Sequence, residues 1–501
     1  MKEPFDKSYY LQKADENFPT LYREEISIPN EVKELYPGDS FVLDLGNHYV
    51  GYLSFVLGFT NRYPDAPTRL SVRFCERPYE IDADFSAYTV GLCASWLQEE
   101  IVTVDYLGEY KMPRRYAARY IKITVLAAPK RITLSDFVFS AVTSADSRQL
   151  ESVSIDDEEL LAIDRVSVNT LKNCMQRVFE DGPKRDRRLW IGDLRLEALA
   201  NYYTYRQTDL VRRCLYLFAA AECDKDGVMP GYIYEYPFFY SGCWFLRDYS
   251  LLFAVTLCEY YLYTGDEQTF LEIYPVAKGQ TNAMLGELDE NGILVPKNPD
   301  NVFIDHIGSL KKTTSLNGIY LYALKALIET LSLLNHEDAE VYRSRYEAAR
   351  ASALRSLYNQ EKCNFENAYD EGQLSVHSVA WMILGGALEG EEAWELLRSA
   401  MQHEAYLKPV SPYMIHYLIE AMEMLGREEE AMSCLREFWG AMVKEGADTF
   451  YEIFTPEDPQ AHSVERLTTS MCHAWSSTPS YFIRKRIVGD RRGTSIQMIE
   501  K

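Results

Sequence analysis

The sequence predicts a mainly α-helical chain with an N-terminal β domain. A β-sandwich over about residues 1–150 is followed by a closed ring of six helical hairpins over about 151–485 and a tail, 486–501. Three observations carry this reading. Strand-like segments separated by Gly and Pro clusters fill the first 145 or so residues. Between Ser144 and Asp157 the apolar period switches from two to three and four. Beyond the switch, similar Asp-Gly and Asn-Gly loops recur after long helical runs.

The strand candidates are FVLDLGNHYVGYLSFVL, TRLSVRFCE, EIVTVDYL, RYIKITVLA and ITLSDFVFSAV. They are rich in β-branched and aromatic residues and often alternate in polarity. LYPGDS, RYPDAPT and LGEYKMPRR separate them, a spacing that suits an antiparallel sandwich. At ESVSIDDEELLAIDRVSVNTLKNCMQRV, acidic residues open the segment, as a helix N-terminus favours. Helical spacing then marks segments at about 157–178, 194–221, 245–264, 267–287, 314–334, 338–358, 375–388, 391–404, 411–425, 428–444 and 470–483. The loops DKDGVMPG from Asp224 and DENGILVP from Asp289 look alike, and YDEGQLS near Asp370 is a weaker echo. About 55 residues per helix pair fits a ring of six hairpins. An open solenoid fits that period nearly as well, and fits the long, aromatic-rich loops less well.

Composition bounds the function. The 501 residues carry 52 basic and 75 acidic side chains, a net charge of −23, which opposes binding to phosphate backbones and anionic lipid. No run approaches the ~18 apolar residues of a membrane span. The N-terminus has no apolar stretch after its first lysine, so a cytoplasmic location is expected. Ten cysteines form no C-x-x-C pair and several lie in apolar helical runs, which reads as reduced, buried thiol. Aromatics at 13% supply core, or platforms for a flat ligand such as a sugar ring.

The densest charged segment is Glu180–Asp193, EDGPKRDRRLWIGD, with four acids and four bases. Gly182 and Pro183 break the preceding helix, and Asp193 stands where the next would be N-capped. The segment is therefore a loop. It is either a solvated charge cluster, or a polyol site in which Asp and Arg grip hydroxyls and Trp190 stacks on a ring. In GADTFYEIFTPEDP, Glu452 is flanked by Tyr451, Ile453, Phe450 and Phe454. Desolvation there would raise its pKa and suit an acid or base, unless the segment is a strand with Glu452 facing water. GYIYEYPFFYSGCWFLRDYS, which holds Trp244, serves equally as platform or core. His473 in CHAWSSTP, His377 and His416 read as helix histidines or as cleft residues. Asp224 and Asp226 hint at calcium, but the remaining loop ligands are missing, which favours a turn. No phosphate-loop, dinucleotide, zincin or serine-hydrolase motif is present. No metal or cofactor is expected.

At EDGPKRDRRLWIGD the sequence resembles the α-L-rhamnosidases of glycoside hydrolase family 78, whose signature is close to D-C-P-x-R-D-E-R-x-G-W-x-G-D before a helix. FIDHIGSLKK, TSLNGIYLYAL, SVHSVAWMILGG, PVSPYMIHYLIEAM, GADTFYEIF and SMCHAWSSTPSYF are similar to later family segments in the same order. FVLDLGNHYVGYLSFVL and ARYIKITV are similar to its N-terminal sandwich. The resemblance covers about residues 35–485. It implies an (α/α)6 barrel and inverting hydrolysis by two carboxylates ~6.5–9.5 Å apart.

Residue by residue, the resemblance implies Glu452 as base. The family's acid position, counted from Asp181, falls on Arg187, which cannot give up a proton. Counted back from W-I-G-D it falls on Asp186, the preferred reading, because Trp190, Gly192 and Asp193 fix that end. Asp193 is the rival acid, then Asp181, Glu235 and Asp248. Asp181, Arg185 and Asp193 match hydroxyl-holding positions, and Trp190, Trp244, His473 and Trp475 complete the expected substrate-binding set. Family members usually add a β-domain, whereas here RKRIVGDRRGTSIQMIEK follows Ile483. The expected activity is exo-hydrolysis of α-L-rhamnosides, on oligosaccharides or glycosylated small molecules. Alternatives are an unsaturated-uronide hydrolase, a polysaccharide lyase, or a sugar-binding homologue without turnover. The expected partners are the carbohydrate and a second copy in a homodimer.

Overall fold

The computed structural model describes residues 6–28, 32–60, 65–89, 92–369, 372–456 and 467–493. The YDEGQLS echo at Asp370, the end of GADTFYEIFTPEDP and the last eight residues of the tail lie outside them.

Eight strands form the N-terminal sheet: β1 (Tyr22–Ser27), β2 (Lys33–Leu35), β3 (Ser40–Phe59), β4 (Thr68–Cys75), β5 (Glu99–Val104), β6 (Gly108–Lys111), β7 (Tyr116–Ala127) and β8 (Ile132–Thr143). The order is β1-β8-β3-β7-β4-β5, with β2 on β8 and β6 on β3. Twenty-residue β3 belongs to two halves. Residues 40–51 pair with β7 and residues 51–59 with β8, with a register shift between Asp44 and Tyr49. Alternate residues of the strands (Leu53 and Phe55; Leu70 and Val72; Phe137 and Phe139) fill one core, which is the reward for a period of two.

The N-terminal decapeptide departs from the strand reading. KSYYLQKADE is a helix, α1 (Lys7–Glu16), N-capped by Asp6, which accepts from Tyr9 N–H. Its Tyr10 and Ala14 join the helical domain's core rather than the sheet's. Arg213 fastens it by donating to the Ala14 carbonyl at 2.6 Å.

The helical domain runs through α2 (Glu158–Cys174), α3 (Ile191–Tyr202), α4 (Thr208–Ala219), α5 (Arg247–Thr264), α6 (Glu267–Ala283), α7 (Thr313–Leu333), α8 (Asp338–Ser356), α9 (Val376–Leu384), α10 (Gly390–Gln402), α11 (Pro412–Met424), α12 (Glu428–Lys444) and α13 (Pro479–Val488). Helices α3, α5, α7, α9 and α11 pack in succession, and α13 with its preceding turn closes the inner ring between α11 and α3. Every residue of α3 and α9 is buried, whereas outer α8 buries only Tyr342, Ser352 and Ala353. Each inner helix packs on the outer helix that follows it in sequence. The sixth pair is the exception, because α13 takes α2, the first helix of the domain. Joining first to last closes the ring.

Two expected helices are corrected. The single run 194–221 breaks at residues 203–207, where Arg206 takes a φ of +57°. Asn201 supports the break by accepting from Gln207 N–H and donating to the Gln207 carbonyl. That break supplies the twelfth helix. The run 470–483 is not helical at its start. Residues 470–473 are extended loop, and the helix waits for Pro479, whose missing N–H costs nothing at a first turn. The two readable Asp-Gly and Asn-Gly echoes are turns: Asp224 accepts from the amides of 226 and 228, and Asp289 from those of 291 and 293.

Candidate active site

Loops at one end of the ring enclose a cleft of about 790 Å³. All nine residues of the expected catalytic and substrate-binding set line it: Asp181, Arg185, Asp186, Trp190, Asp193, Trp244, Glu452, His473 and Trp475. Segments about 260 residues apart thus converge. The N-terminal domain adds Leu92 and Trp96 to the wall.

Asp181 folds the first loop. Its two oxygens accept from the backbone N–H groups of Asp186 and Arg188, and its own N–H donates to the Arg188 carbonyl. This turn presents Arg185 and Asp186 to the cleft. Arg187, at φ +62°, turns away and donates to the carbonyls of Pro183 and Arg115. Beyond the turn, β9 (Leu189–Trp190) pairs with β10 (Tyr232–Tyr234), which pairs with β11 (Tyr240–Ser241). That small sheet sets Trp190 against Tyr232, with ring centroids 4.4 Å apart, and near Trp244 at 5.8 Å. Trp244 is 60% exposed and presents a ring face at the rim. Gly192 is required here, because a Cβ would meet the Tyr249 ring at 2.5 Å.

Asp193 is not the N-cap expected of it. The helix starts two residues earlier, with Trp190 at the cap, and Asp193 sits inside the first turn of α3. Its carboxyl is almost fully buried, with Oδ1 3.4 Å from His473 Nδ1 but without hydrogen-bond geometry. Burial first, then the charges of Asp181 and Glu452, push its pKa well above the carboxylate range. Burial and then Asp186 push Asp181 up to about 8.

Glu452 lies in a loop, not a strand, and is 6% exposed. The aromatic flanks do bury it, but the expected upward shift is reversed. Burial opposes the charge, yet its cationic surroundings, led by the Arg185 guanidinium, outweigh it and hold the pKa at about 2. Arg185 Nη2 pairs with Glu452 Oε2, Ser470 N–H donates to the same oxygen at 3.1 Å, and His306 Nε2 lies 4.0 Å from Oε1. Arg185 is itself aimed by donating from Nε to the Thr468 carbonyl at 2.8 Å. Its other terminal nitrogen lies 3.6 Å from Asp186 Oδ1, and Arg188 lies 3.4 Å from Oδ2. One guanidinium thus spans Glu452 and Asp186, so their nearest oxygens stand at most about 8–9 Å apart, below the upper limit for two carboxyls with a water between them.

Sequence reasoning did not single out His306 as a site residue. The loop before α7 carries it, and buried Asp305 anchors that loop by accepting from His377 Nε2 at 2.8 Å, the Ser411 hydroxyl and the Val410 amide. Asp248 does the same from α5, accepting from Phe303 and Ile304 N–H. The available signal was a His between acidic and Gly residues in FIDHIGSLKK, a loop between two helices. His377 is a fully buried interior histidine whose Nε2 meets Asp305, and it does not line the cleft. His416 is buried 3.4 Å from Glu420, away from the cleft. Glu235 pairs with Arg213 outside it. Among the described residues, no group of three or more His, Cys, Asp or Glu could hold a metal ion, and no helix is long and apolar enough to cross a membrane.

A β domain on a six-hairpin ring, with carboxyls, one guanidinium and tryptophans around a cleft, is the arrangement of a glycosidase. The model for the glycosyl hydrolase family 78 alpha-rhamnosidase N-terminal domain matches residues 20–143. The model for the bacterial alpha-L-rhamnosidase 6 hairpin glycosidase domain matches residues 148–487. The chain belongs to the α-L-rhamnosidases of glycoside hydrolase family 78.

Among solved structures, it is similar to a rhamnosidase from Klebsiella oxytoca with rhamnose bound, with a TM-score of 0.91 and 36% identity over 96% of this chain and 99% of that one. A family 78 rhamnosidase of Bacillus sp. GL1 shares the fold with a TM-score of 0.78 and 23% identity, over 92% of this chain and 48% of that one. An α-L-rhamnosidase of Streptomyces avermitilis complexed with L-rhamnose shares it with a TM-score of 0.68 and 15% identity, over 93% and 44%. Comparison with curated proteins gives no match.

Proposed function

We propose that this glycosidase releases terminal α-L-rhamnose from oligosaccharides or glycosylated small molecules, with inversion. The single observation that carries the division of labour is the opposite treatment of two carboxyls in one cleft. Glu452 is held ionised by Arg185, and Asp193 is held protonated by burial. Ionised Glu452 takes a proton from the attacking water. Asp193, the protonated member, gives one to the leaving oxygen. Asp186, which the sequence reading placed in the acid role, lies between two guanidinium groups and orients Arg185 and the sugar. Asp181 shapes the loop. Trp190, Trp244 and Trp475 offer faces to the ring, and His473 stands beside the acid. The rhamnose in the Klebsiella oxytoca relative supports the choice of sugar.

A panel of nitrophenyl glycosides, followed by NMR of the first anomer released, tests this. Turnover of the α-L-rhamnoside with the β-anomer appearing first is expected. Release of the α-anomer, or a preference for another glycoside, contradicts it.

A further inference from the structure

Glu76, just after β4, is a buried carboxylate of the N-terminal domain that does not line the cleft. Its Oε1 lies 3.0 Å from His48 Nε2, within its own domain. Its Oε2 faces the barrel, accepts from Met471 N–H at 2.8 Å, and lies 3.5 Å from Lys184 Nζ. Lys184 is equally buried and donates to Glu80 Oε2 at 3.0 Å.

The two barrel contacts fall beside the reacting groups. Lys184 immediately precedes Arg185. Met471 follows Ser470, whose N–H donates to Glu452 and whose hydroxyl donates to the Arg185 carbonyl at 2.6 Å, and it lies two residues before His473. One carboxylate therefore touches two segments far apart in sequence, at Lys184, next to Arg185, and at Met471, next to the Ser470 that bonds Glu452.

We propose that Glu76 is a positioning residue of the active site. It sets the spacing of the Arg185 loop and the Ser470–His473 segment that holds Glu452, and makes the N-terminal domain part of the catalytic apparatus rather than an appendage. The inference rests on the proposed hydrolysis for its kinetic effect. Glu80 is the built-in control, because it grips the same lysine and is not bonded to Met471. A shift of about 1 Å in such a pair costs on the order of 10²-fold in rate, since alignment supplies much of the rate gain.

The experiment compares Glu76→Gln, Glu76→Asp and Glu80→Gln in the full chain, with folding checked by melting temperature. Expected for folded Glu76→Gln is a kcat about 10–100-fold lower with KM within about threefold, while Glu80→Gln stays within about threefold of wild type. Glu76→Asp keeps the charge but is a methylene shorter, and should lose kcat in the same direction. Amide exchange read by mass spectrometry supplies a measure that needs no substrate. Glu76→Gln should quicken exchange in both the 181–188 and 467–475 peptides, and Glu80→Gln only in the first. Wild-type kcat in folded Glu76 variants, equal losses in Glu76→Gln and Glu80→Gln, or exchange unchanged at 467–475 overturns the proposal. An inactive wild-type chain with the expected exchange pattern would instead count against rhamnoside hydrolysis alone.

Discussion

Asp193 and Glu452 face one cleft and are both nearly excluded from water, yet their surroundings push their pKa values in opposite directions. Desolvation pushes both pKa values up. Around Asp193 the next groups are the carboxyls of Asp181 and Glu452, which push the same way. Around Glu452 the Arg185 guanidinium leads the groups that push back and win. Burial alone therefore says little about a carboxyl's role; the sign of its nearest charged neighbour decides. In the proposed mechanism, a single guanidinium attached to one of them is what divides two carboxyls of one site into an acid and a base.

The largest effect should come from removing the ionised member. Glu452→Gln leaves the water unactivated and lowers kcat roughly 10²–10⁴-fold on activated and plain rhamnosides alike. Steady-state rates on both substrates check this, and a loss confined to one would break the assignment.

Next comes the cation that creates the difference. Arg185→Lys cannot donate to Thr468 while spanning Glu452 and Asp186, so kcat should fall on the order of 10²-fold. A pH profile sharpens the comparison further. Activity needs ionised Glu452, whose pKa of about 2 rises once the cation is removed, as in Arg185→Gln, so in that variant the acid limb of kcat/KM must move to higher pH. An unmoved acid limb would show that Arg185 does not hold the charge.

A smaller effect is on stability. Asp193 has a raised folded pKa, so above the ordinary carboxylate range the folded state binds more protons than the unfolded one. Stability then falls as pH climbs from near 4 toward the folded value. Asp193→Asn is free of that burden and should melt above wild type by a few degrees, with a gap that widens with pH. Melting curves at pH 5 and pH 8 measure it; a gap that narrows with pH contradicts the protonated state.

Much of this was legible in the sequence, for reasons visible in the structure. The switch of apolar period at residues 144–157 reflects real alternation in β3 and β4 and one-sided burial in α2. EDGPKRDRRLWIGD stood out because no core demands four acids and four bases in fourteen residues. The misses have local causes. The 203–207 break is made by Asn201, whose side chain competes for backbone groups inside an apolar run. Helix α1 belongs to a core distant in sequence. Asp193 looked like a cap because a cap and a first-turn acid share composition. Glu452's direction of shift depends on Arg185, 267 residues away, which periodicity cannot place beside it. His306 was hard to mark as a site residue because its loop is held in place by Asp248, His377, Val410 and Ser411, which come from separate helices and loops.

The division between acid and base is tested most directly by leaving-group dependence. A dinitrophenyl rhamnoside departs with little help, whereas a plain alkyl rhamnoside needs the proton. For Asp193→Asn the account predicts a loss of about 10²–10⁴-fold in kcat/KM on the alkyl substrate and far less on the dinitrophenyl one. Asp186→Asn should lose activity similarly on both. The reverse pattern, with the dependence in Asp186→Asn and a uniform loss in Asp193→Asn, would move the proton to Asp186 and contradict the account.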